Sequence, residues 1–196
     1  MTLEARGLAC SRGPVRLFRD VSFRVERGEW VAVRGANGSG KTTLLRCAAG
    51  LTRLDSGEVK REGQVTYGGH LAGIKDDLTA EENLRGALAL AGATATPPQV
   101  HAALEEVGLL KRRLLPARRL SAGQRRRIGL ARLMLDRAPI WILDEPLTAL
   151  DDEGQALFAR TLSRHLERGG LALVATHHDL AVAPARLLRM GEAARA

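Results

Sequence analysis

The strongest constraint on the fold is a glycine-rich stretch between a predicted buried strand and a predicted helix. It reads Gly35-Ala36-Asn37-Gly38-Ser39-Gly40-Lys41-Thr42 and fits the pattern G-x-x-x-x-G-K-[ST]. The apolar run Trp30-Val31-Ala32-Val33 precedes it, and a helical pattern from Lys41 to Ala49 follows. In this context the glycines let backbone N–H groups approach phosphate oxygens, and the helix N-terminus adds positive potential. We therefore expect a nucleotide site, rather than a glycine turn that merely starts a helix, with Lys41 on the outer phosphates and Thr42 on Mg²⁺.

The remaining periodicity predicts an α/β protein with a parallel sheet. Strands are predicted where apolar residues alternate or run together, at Val21–Val25, Gly57–Tyr67, Ile140–Leu143 and Leu171–Ala175. Helical spacing is found at Thr79–Ala91, Gln99–Val107, Ser121–Leu135 and Glu153–Glu167, and residues 92–98 are predicted to be a loop. We interpret 1–196 as a single domain in which a helical insert, from about 76 to 136, interrupts the strand–helix alternation.

An acidic pair ends one of the buried strands. Ile140-Trp141-Ile142-Leu143 is followed directly by Asp144 and Glu145, which places both carboxylates at the carboxyl edge of the sheet, where ligands bind. Asp144 is suited to hold Mg²⁺, and Glu145 to orient and deprotonate an attacking water. The competing interpretation, an acidic loop start that caps the next helix, is disfavoured by the phosphate loop earlier in the chain.

A polar helix start lies between these two motifs. Leu120-Ser121-Ala122-Gly123-Gln124 precedes three arginines, Arg125 to Arg127. Ser121 and Gln124 form the S-x-x-Q pattern of a capping box, which is a sufficient structural reason for both. Arginines in a first helical turn nevertheless oppose the helix dipole, so the segment also fits an anion-binding role.

Residues 120–124 resemble the LSGGQ signature of ATP-binding cassette (ABC) proteins, with Ala at the third position. Thr148-Ala149-Leu150-Asp151 resembles the D-loop of that family, Ala175-Thr176-His177 its switch histidine, and residues 78–84 the start of its helical subdomain. The resemblance extends from about Leu3 to Leu188. It implies a P-loop NTPase core of the ABC ATPase type with an antiparallel β-subdomain and a helical subdomain.

The resemblance also implies the site. ATP and Mg²⁺ are the expected ligands, and two chains are expected to close head to tail so that Ser121 and Gly123 face the nucleotide on the partner's loop. The expected catalytic residues are Glu145 and His177, and the expected metal ligands are Thr42, Asp144 and His70. The expected nucleotide-binding residues are Gly35, Ala36, Asn37, Gly38, Ser39, Gly40, Lys41, Thr42, Thr43, Arg12, Ser121, Gly123, Gln124 and Asp151.

Two positions depart from the family pattern. Arg12 stands where ABC proteins carry an aromatic residue stacked on adenine; a guanidinium can also stack on a base, or Arg12 can be a solvated surface charge. His70 stands where a glutamine usually meets Mg²⁺ and senses the membrane partner, and the alternative is a surface loop histidine.

The segment from Gly69 to Lys75 resembles one subfamily of ABC proteins in particular. It is similar to the Gly-His-x-x-Gly-Ile-Lys segment in ATP-binding subunits of the cytochrome c maturation, or haem exporter, systems, although Leu71 replaces their usual glutamine. The implied partners are an integral membrane permease (CcmB-like) and other maturation components, and the implied place is peripheral, on the cytoplasmic face of the membrane. The implied work is haem export or release of a haem chaperone.

Charge and composition leave rival functions open. A net charge of +8 favours an anionic partner, but only 3% of residues are aromatic, which argues against a base-stacking platform and specific nucleic acid binding. No signal peptide or membrane span is visible, and two cysteines fit a reducing compartment. The rivals are the ATPase of another ABC exporter, a nucleic-acid-associated ABC protein and an iron–sulfur assembly ATPase.

Overall fold

The computed structural model describes residues 1–69 and 73–191, which divide into two compact units. The first unit comprises Met1–Gly69, Ala138–Pro146 and the described part of Ser163–Ala196. The second comprises the described part of His70–Arg137 together with Leu147–Leu162. The predicted helical insert of 76–136 falls in the second unit, which also includes a later segment of the chain.

An antiparallel sheet of three strands forms one part of the first unit. Its strands are β1 (Thr2–Arg12), β2 (Val15–Glu26) and β4 (Ser56–Arg61), in the order β2-β1-β4. Along β1, buried side chains alternate with more exposed ones, and the buried ones are Leu3, Ala5, Leu8 and Cys10. The predicted strand Val21–Val25 is the second half of β2, since the cross-strand pairs with β1 begin at Val15.

A parallel sheet of five strands forms the other part. The strands are β3 (Trp30–Arg34), β5 (Val65–Gly68), β6 (Ile140–Asp144), β7 (Leu171–Ala175) and β8 (Arg186–Arg189). Their order across the sheet is β5-β6-β7-β3-β8. Its central strands β6 and β7 are buried at every position, as expected for a parallel sheet covered on both faces. Helix α1 (Lys41–Ala48) follows β3 after the loop of residues 35–40.

The stretch Gly57–Tyr67, predicted to be one extended segment, forms two strands that belong to different sheets. Its first half belongs to β4, which pairs with β1, and its second half belongs to β5, which pairs in parallel with β6. The chain changes sheet at residues 62–64. Apolar side chains of both sheets, including Leu3, Val33 and Ile142, meet Leu44 of helix α1 (Lys41–Ala48) in one core cluster of the first unit.

The second unit is helical. It contains α2 (Ala80–Leu90), α3 (Pro97–Glu106), α4 (Ala122–Leu135), the first part of α5 (Asp152–Glu167) and two short 3₁₀ turns at Leu110–Arg112 and Ala117–Arg119. Helix α3 begins earlier than predicted because Pro97 and Pro98 occupy its first turn, where a missing N–H costs nothing. Thr96 precedes them, and its N–H donates to Gln99 Oε1 at 2.9 Å.

Among the described residues, no helix combines the length and the apolar character needed to cross a membrane. Strands, helices and a parallel sheet in this order confirm the predicted α/β class.

Candidate nucleotide site

The loop between β3 and α1 has a backbone that its glycines make possible. Gly40, the residue before α1, has φ +91°, and a side chain there would also press on Phe18 and Leu17 of β2. A Cβ on Gly35 would lie 2.5 Å from Met190 O and 2.6 Å from Ser39 Oγ, so no larger residue fits. Ala36, Asn37 and Gly38, between them, are exposed. The exposed backbone of the loop is therefore accessible to an anion.

Lys41 and Ser39 give this loop its polar side chains. Lys41 is 8% exposed, and its Nζ donates to Gly35 O at 2.7 Å and Ala36 O at 3.2 Å. Ser39 Oγ is buried and has no hydrogen-bond partner in the described chain. A buried hydroxyl without a partner is costly, and a phosphate oxygen would satisfy it. The ammonium and the hydroxyl together fit a polyphosphate ligand.

The acidic pair lies at the carboxyl end of β6, as predicted. Asp144 is 2% exposed, and its Oδ2 accepts a hydrogen bond of 2.7 Å from Thr42 Oγ1, at the start of α1. Both groups offer oxygen ligands, which Mg²⁺ prefers, and the described residues contain no cluster of three acidic, histidine or cysteine side chains that would make a closed metal cage. The two side chains fit a Mg²⁺ site in which the ion takes its remaining ligands from water and substrate phosphates.

Glu145 follows Asp144 in an unusual backbone conformation. Its φ is +49°, a region that costs non-glycine residues free energy and that clusters at functional sites. Its N–H donates to Ala175 O at 2.9 Å, which ties it to the end of β7. Its side chain is 16% exposed, and Oε1 lies 3.3 Å from His177 Nε2. The predicted base and the predicted switch histidine are therefore neighbours, although 31 residues lie between them in the sequence.

Arg12 ends β1 at the tip of the β1–β2 hairpin, where it pairs with Val15 and is exposed. On the other strand of the hairpin, β2, Leu17 and Phe18 lie against Gly40 of the loop. The hairpin that carries Arg12 is thus fixed beside the candidate phosphate site.

In the second unit, Ser121 and Gln124 form the capping box that the sequence predicts. Ser121 Oγ accepts from Gln124 N at 3.2 Å, and Gln124 Oε1 accepts from Ser121 N at 3.1 Å. Gly123 lies close to the segment 147–151, since a Cβ there would meet Ala149 O at 3.0 Å. Ser121, Gly123, Gln124, Arg127, Ala149 and Asp151 border one cavity of about 260 Å³.

The three arginines of this helix start all contact groups of their own chain. Arg125 Nη1 donates to Asp76 Oδ1 at 2.9 Å, and Arg126 Nε donates to Thr148 O at 3.2 Å. Arg127 donates to Asp151, at 2.8 and 3.0 Å. These contacts account for three arginines near the start of α4 (Ala122–Leu135) without a bound anion.

Some predicted residues lie apart from these groups, and some contacts near the site were not predicted. Thr43 lies in the first turn of α1 and is half-buried. His70 lies outside the described residues. Sequence reasoning missed the link between Arg127 and Asp151, and the contact of Arg34 with Asp179 and His178 O next to His177. No local pattern signals either pair, because their members are far apart in the sequence.

Residues 18–148 match the family model described as ABC transporter, and the chain belongs to this family. The cytochrome c biogenesis ATP-binding export protein CcmA of Nitrosomonas europaea is 50% identical, over 91% of this chain and 89% of that protein. The protein of the same name from Pseudomonas aeruginosa is 45% identical, over 96% of this chain and 99% of its own length.

Solved structures agree on the fold. A putative ABC transporter ATP-binding protein from Pyrococcus furiosus has a TM-score of 0.84 at 23% identity, covering 97% of this chain and 98% of that chain. A dimeric ATP-binding cassette in a post-hydrolysis state with ADP and Pi has a TM-score of 0.83 at 22% identity, covering 96% and 94%. The ABC ATPase fold predicted from the motifs is confirmed.

Proposed function

We propose that this chain is the ATP-hydrolysing subunit of a membrane ABC complex that serves c-type cytochrome biogenesis. ATP hydrolysis is supported chiefly by one observation: Lys41, the Thr42–Asp144 pair and the Glu145–His177 pair lie together at one edge of the sheet. These groups supply a cation for phosphates, oxygens for Mg²⁺, a carboxylate base and an imidazole. Such a set matches phosphoryl transfer to water.

Each side chain then has a defined task. Lys41 exchanges its loop carbonyls for the outer phosphates of ATP, and the N–H groups of residues 36–43 surround the remaining phosphate oxygens. Thr42 and Asp144 hold Mg²⁺, which, when bound, neutralises charge on the transferring phosphoryl group. Glu145 accepts a proton from the attacking water, and His177 hydrogen-bonds the γ-phosphate.

The second half of each site comes from another copy of the chain. In the head-to-tail dimer, Ser121, Gly123 and Gln124 face the nucleotide on the partner's loop, and Asp151 lies beside them. Arg12 contacts the adenine. His70 takes the place of the family's glutamine near Mg²⁺ and carries signals between nucleotide and permease.

The biological setting follows from the relatives that are named for cytochrome c biogenesis export. At 45–50% identity over nearly the whole chain, a shared role is the simplest inference. The partner is an integral membrane permease (CcmB-like), and the chain acts as a peripheral subunit on the cytoplasmic face of the inner membrane. ATP hydrolysis drives haem export or release of a haem chaperone.

The test is purification of the tagged chain from detergent-solubilised membranes, together with a haem stain of c-type cytochromes in cells that carry only Glu145→Gln. We expect a permease to co-purify and the cytochromes to be lost while the variant is present at normal levels. Normal cytochromes in these cells, with a different permease attached, would instead support the exporter alternative. A chain that hydrolyses no ATP in any complex would contradict the ATPase assignment itself.

A further inference from the structure

Arg127 joins three separate segments of the second unit. Its side chain is 14% exposed, and Nη2 lies 2.8 Å and 3.0 Å from the two carboxylate oxygens of Asp151 and 3.0 Å from Glu153 Oε2. Nη1 donates to Val107 O at 3.2 Å. One guanidinium therefore connects helix α4, the end of α3 and the start of α5.

Asp151 is itself fixed by this arrangement. Its Oδ1 also accepts from Gly154 N at 3.0 Å, in the first turn of α5. The pKa of the Asp151 carboxyl is lowered, first by this backbone N–H and then by Arg127. The carboxylate is thus held as an anion between a helix start and a cation.

The same two segments touch at a second place. A Cβ on Gly123 would meet Ala149 O at 3.0 Å, and Ala149 has the left-handed φ of +65°. Arg126 Nε donates to Thr148 O at 3.2 Å. The signature segment and the segment 148–151 are therefore packed together, and Arg127 adds the charged link.

We propose that Arg127 is a positioning residue that holds Asp151 against the signature helix, so that Ser121, Gly123 and Asp151 meet a second chain as one preformed surface. This inference rests on the proposed function, because it concerns closure of the ATP-bound dimer. Groups from separate elements act together only when their relative placement is held closely, and a partly buried guanidinium with several acceptors provides that constraint.

Arg127 is chemically suited to this task. Lysine has the same charge but presents a single point of attachment, whereas the planar guanidinium directs separate N–H groups at Val107 O and at the carboxylates. Arg127→Lys should therefore retain part of the function that Arg127→Met loses.

The experiment measures three quantities for each variant: binding of a fluorescent ATP analogue to the monomer, ATP-driven dimerisation in the Glu145→Gln background, and melting temperature. The variants are Arg127→Met, Arg127→Lys, Asp151→Asn and the pair Arg127→Met with Asp151→Asn. The control is Arg118→Met, which removes an exposed ion pair with Asp77 in the same unit.

We expect Arg127→Met to bind nucleotide within about twofold of the unmodified chain and to dimerise at least about tenfold more weakly, which is about 1.4 kcal/mol. Arg127→Lys should be intermediate, and the double variant should be no weaker than Arg127→Met alone, since both changes break one link. Arg118→Met should dimerise normally.

Normal dimerisation of Arg127→Met, or additive losses in the double variant, would overturn the proposal. If Arg127→Met does not fold, Arg127→Lys decides, because it leaves Asp151 itself unchanged: normal dimerisation of Arg127→Lys would then overturn the proposal. A chain whose Glu145→Gln form binds no ATP would contradict the proposed function instead, and would be recognised before any variant of Arg127 is compared.

Discussion

His177 Nε2 lies 3.3 Å from Glu145 Oε1, across the carboxyl ends of two adjacent parallel strands. The hydrogen bond from Glu145 N to Ala175 O, 2.9 Å long, holds the two segments in register. Thr176, between Ala175 and His177, is fully buried and donates its own N–H to Val33 O. These backbone hydrogen bonds therefore fix the positions of the Cα atoms of Glu145 and His177, and the imidazole lies within contact distance of the proposed base.

The first prediction separates binding from chemistry. Glu145→Gln should bind ATP normally and lose at least about 10²-fold in hydrolysis, since an amide cannot accept the proton of the attacking water. Lys41→Ala should lose ATP affinity, because it removes the cation that is buried within the phosphate loop. Equilibrium binding and steady-state ATPase rates measure both effects. Unchanged turnover in Glu145→Gln would exclude Glu145 as the general base.

The second prediction concerns the two-chain site. Ser121→Arg should leave ATP binding to the monomer intact and abolish closure, because a bulky cation then occupies the cavity beside Gly123. A mixture of Ser121→Arg and Lys41→Ala chains keeps at most one intact composite site in each heterodimer. Full ATPase activity of Ser121→Arg alone would show that the site does not need a second chain.

Sequence reasoning succeeded where a motif dictates its own backbone. The glycines at 35, 38 and 40 specify a loop that few other residues could form, and the apolar run before Asp144 specifies a buried strand that must end at the carboxylates. The capping box of Ser121 and Gln124 is equally local. In each case the determining contacts lie within a few residues of one another.

The features that sequence reasoning missed depend on distant partners. Nothing within Gly57–Tyr67 distinguishes β4 from β5; Leu3 and Ile140, far away in the chain, select the sheet that each half joins. Strand β8 is short and largely exposed, and it exists because Arg186 pairs beside Val31. The link from Arg127 to Asp151 likewise spans 24 residues.

The third prediction concerns how the stability of the protein depends on pH through Asp151. The folded protein lowers the pKa of Asp151, so Asp151 stabilises the fold at pH values above its ordinary value of about 3.9, and this stabilisation is lost as the pH falls through the lower folded pKa. Arg127→Met should raise the pKa of Asp151 and move this loss to higher pH. A carboxyl NMR titration of Asp151 in both proteins measures the shift. An identical titration would show that the ion pair does not form in solution.

The fourth prediction uses two glycines with opposite surroundings. A Cβ at Gly57 would lie 2.5 Å from Arg6 O, at φ +89°, so Gly57→Ala should destabilise the protein by about 1–3 kcal/mol. Gly86 lies inside helix α2 with nothing within 4 Å of an added Cβ, so Gly86→Ala should stabilise by about 0.5–1 kcal/mol. Urea unfolding of both variants checks the signs, and equal effects would contradict the local geometry.

The fifth prediction concerns the base of the nucleotide and Arg12. If the exposed guanidinium at the hairpin tip stacks on adenine, Arg12→Ala should weaken ATP binding by roughly 2–5-fold, the size of an exposed cation–π contact. Arg12→Tyr should restore or exceed the original affinity, because an aromatic ring offers the same face to the base.

The control for loss of charge alone is Arg19→Ala, which removes an exposed arginine from β2. Calorimetry with tripolyphosphate, which has no base, separates the two causes: stacking predicts no difference between Arg12→Ala and the unmodified chain with that ligand. An equal loss for ATP and tripolyphosphate would mean that Arg12 acts on the phosphates only through its charge.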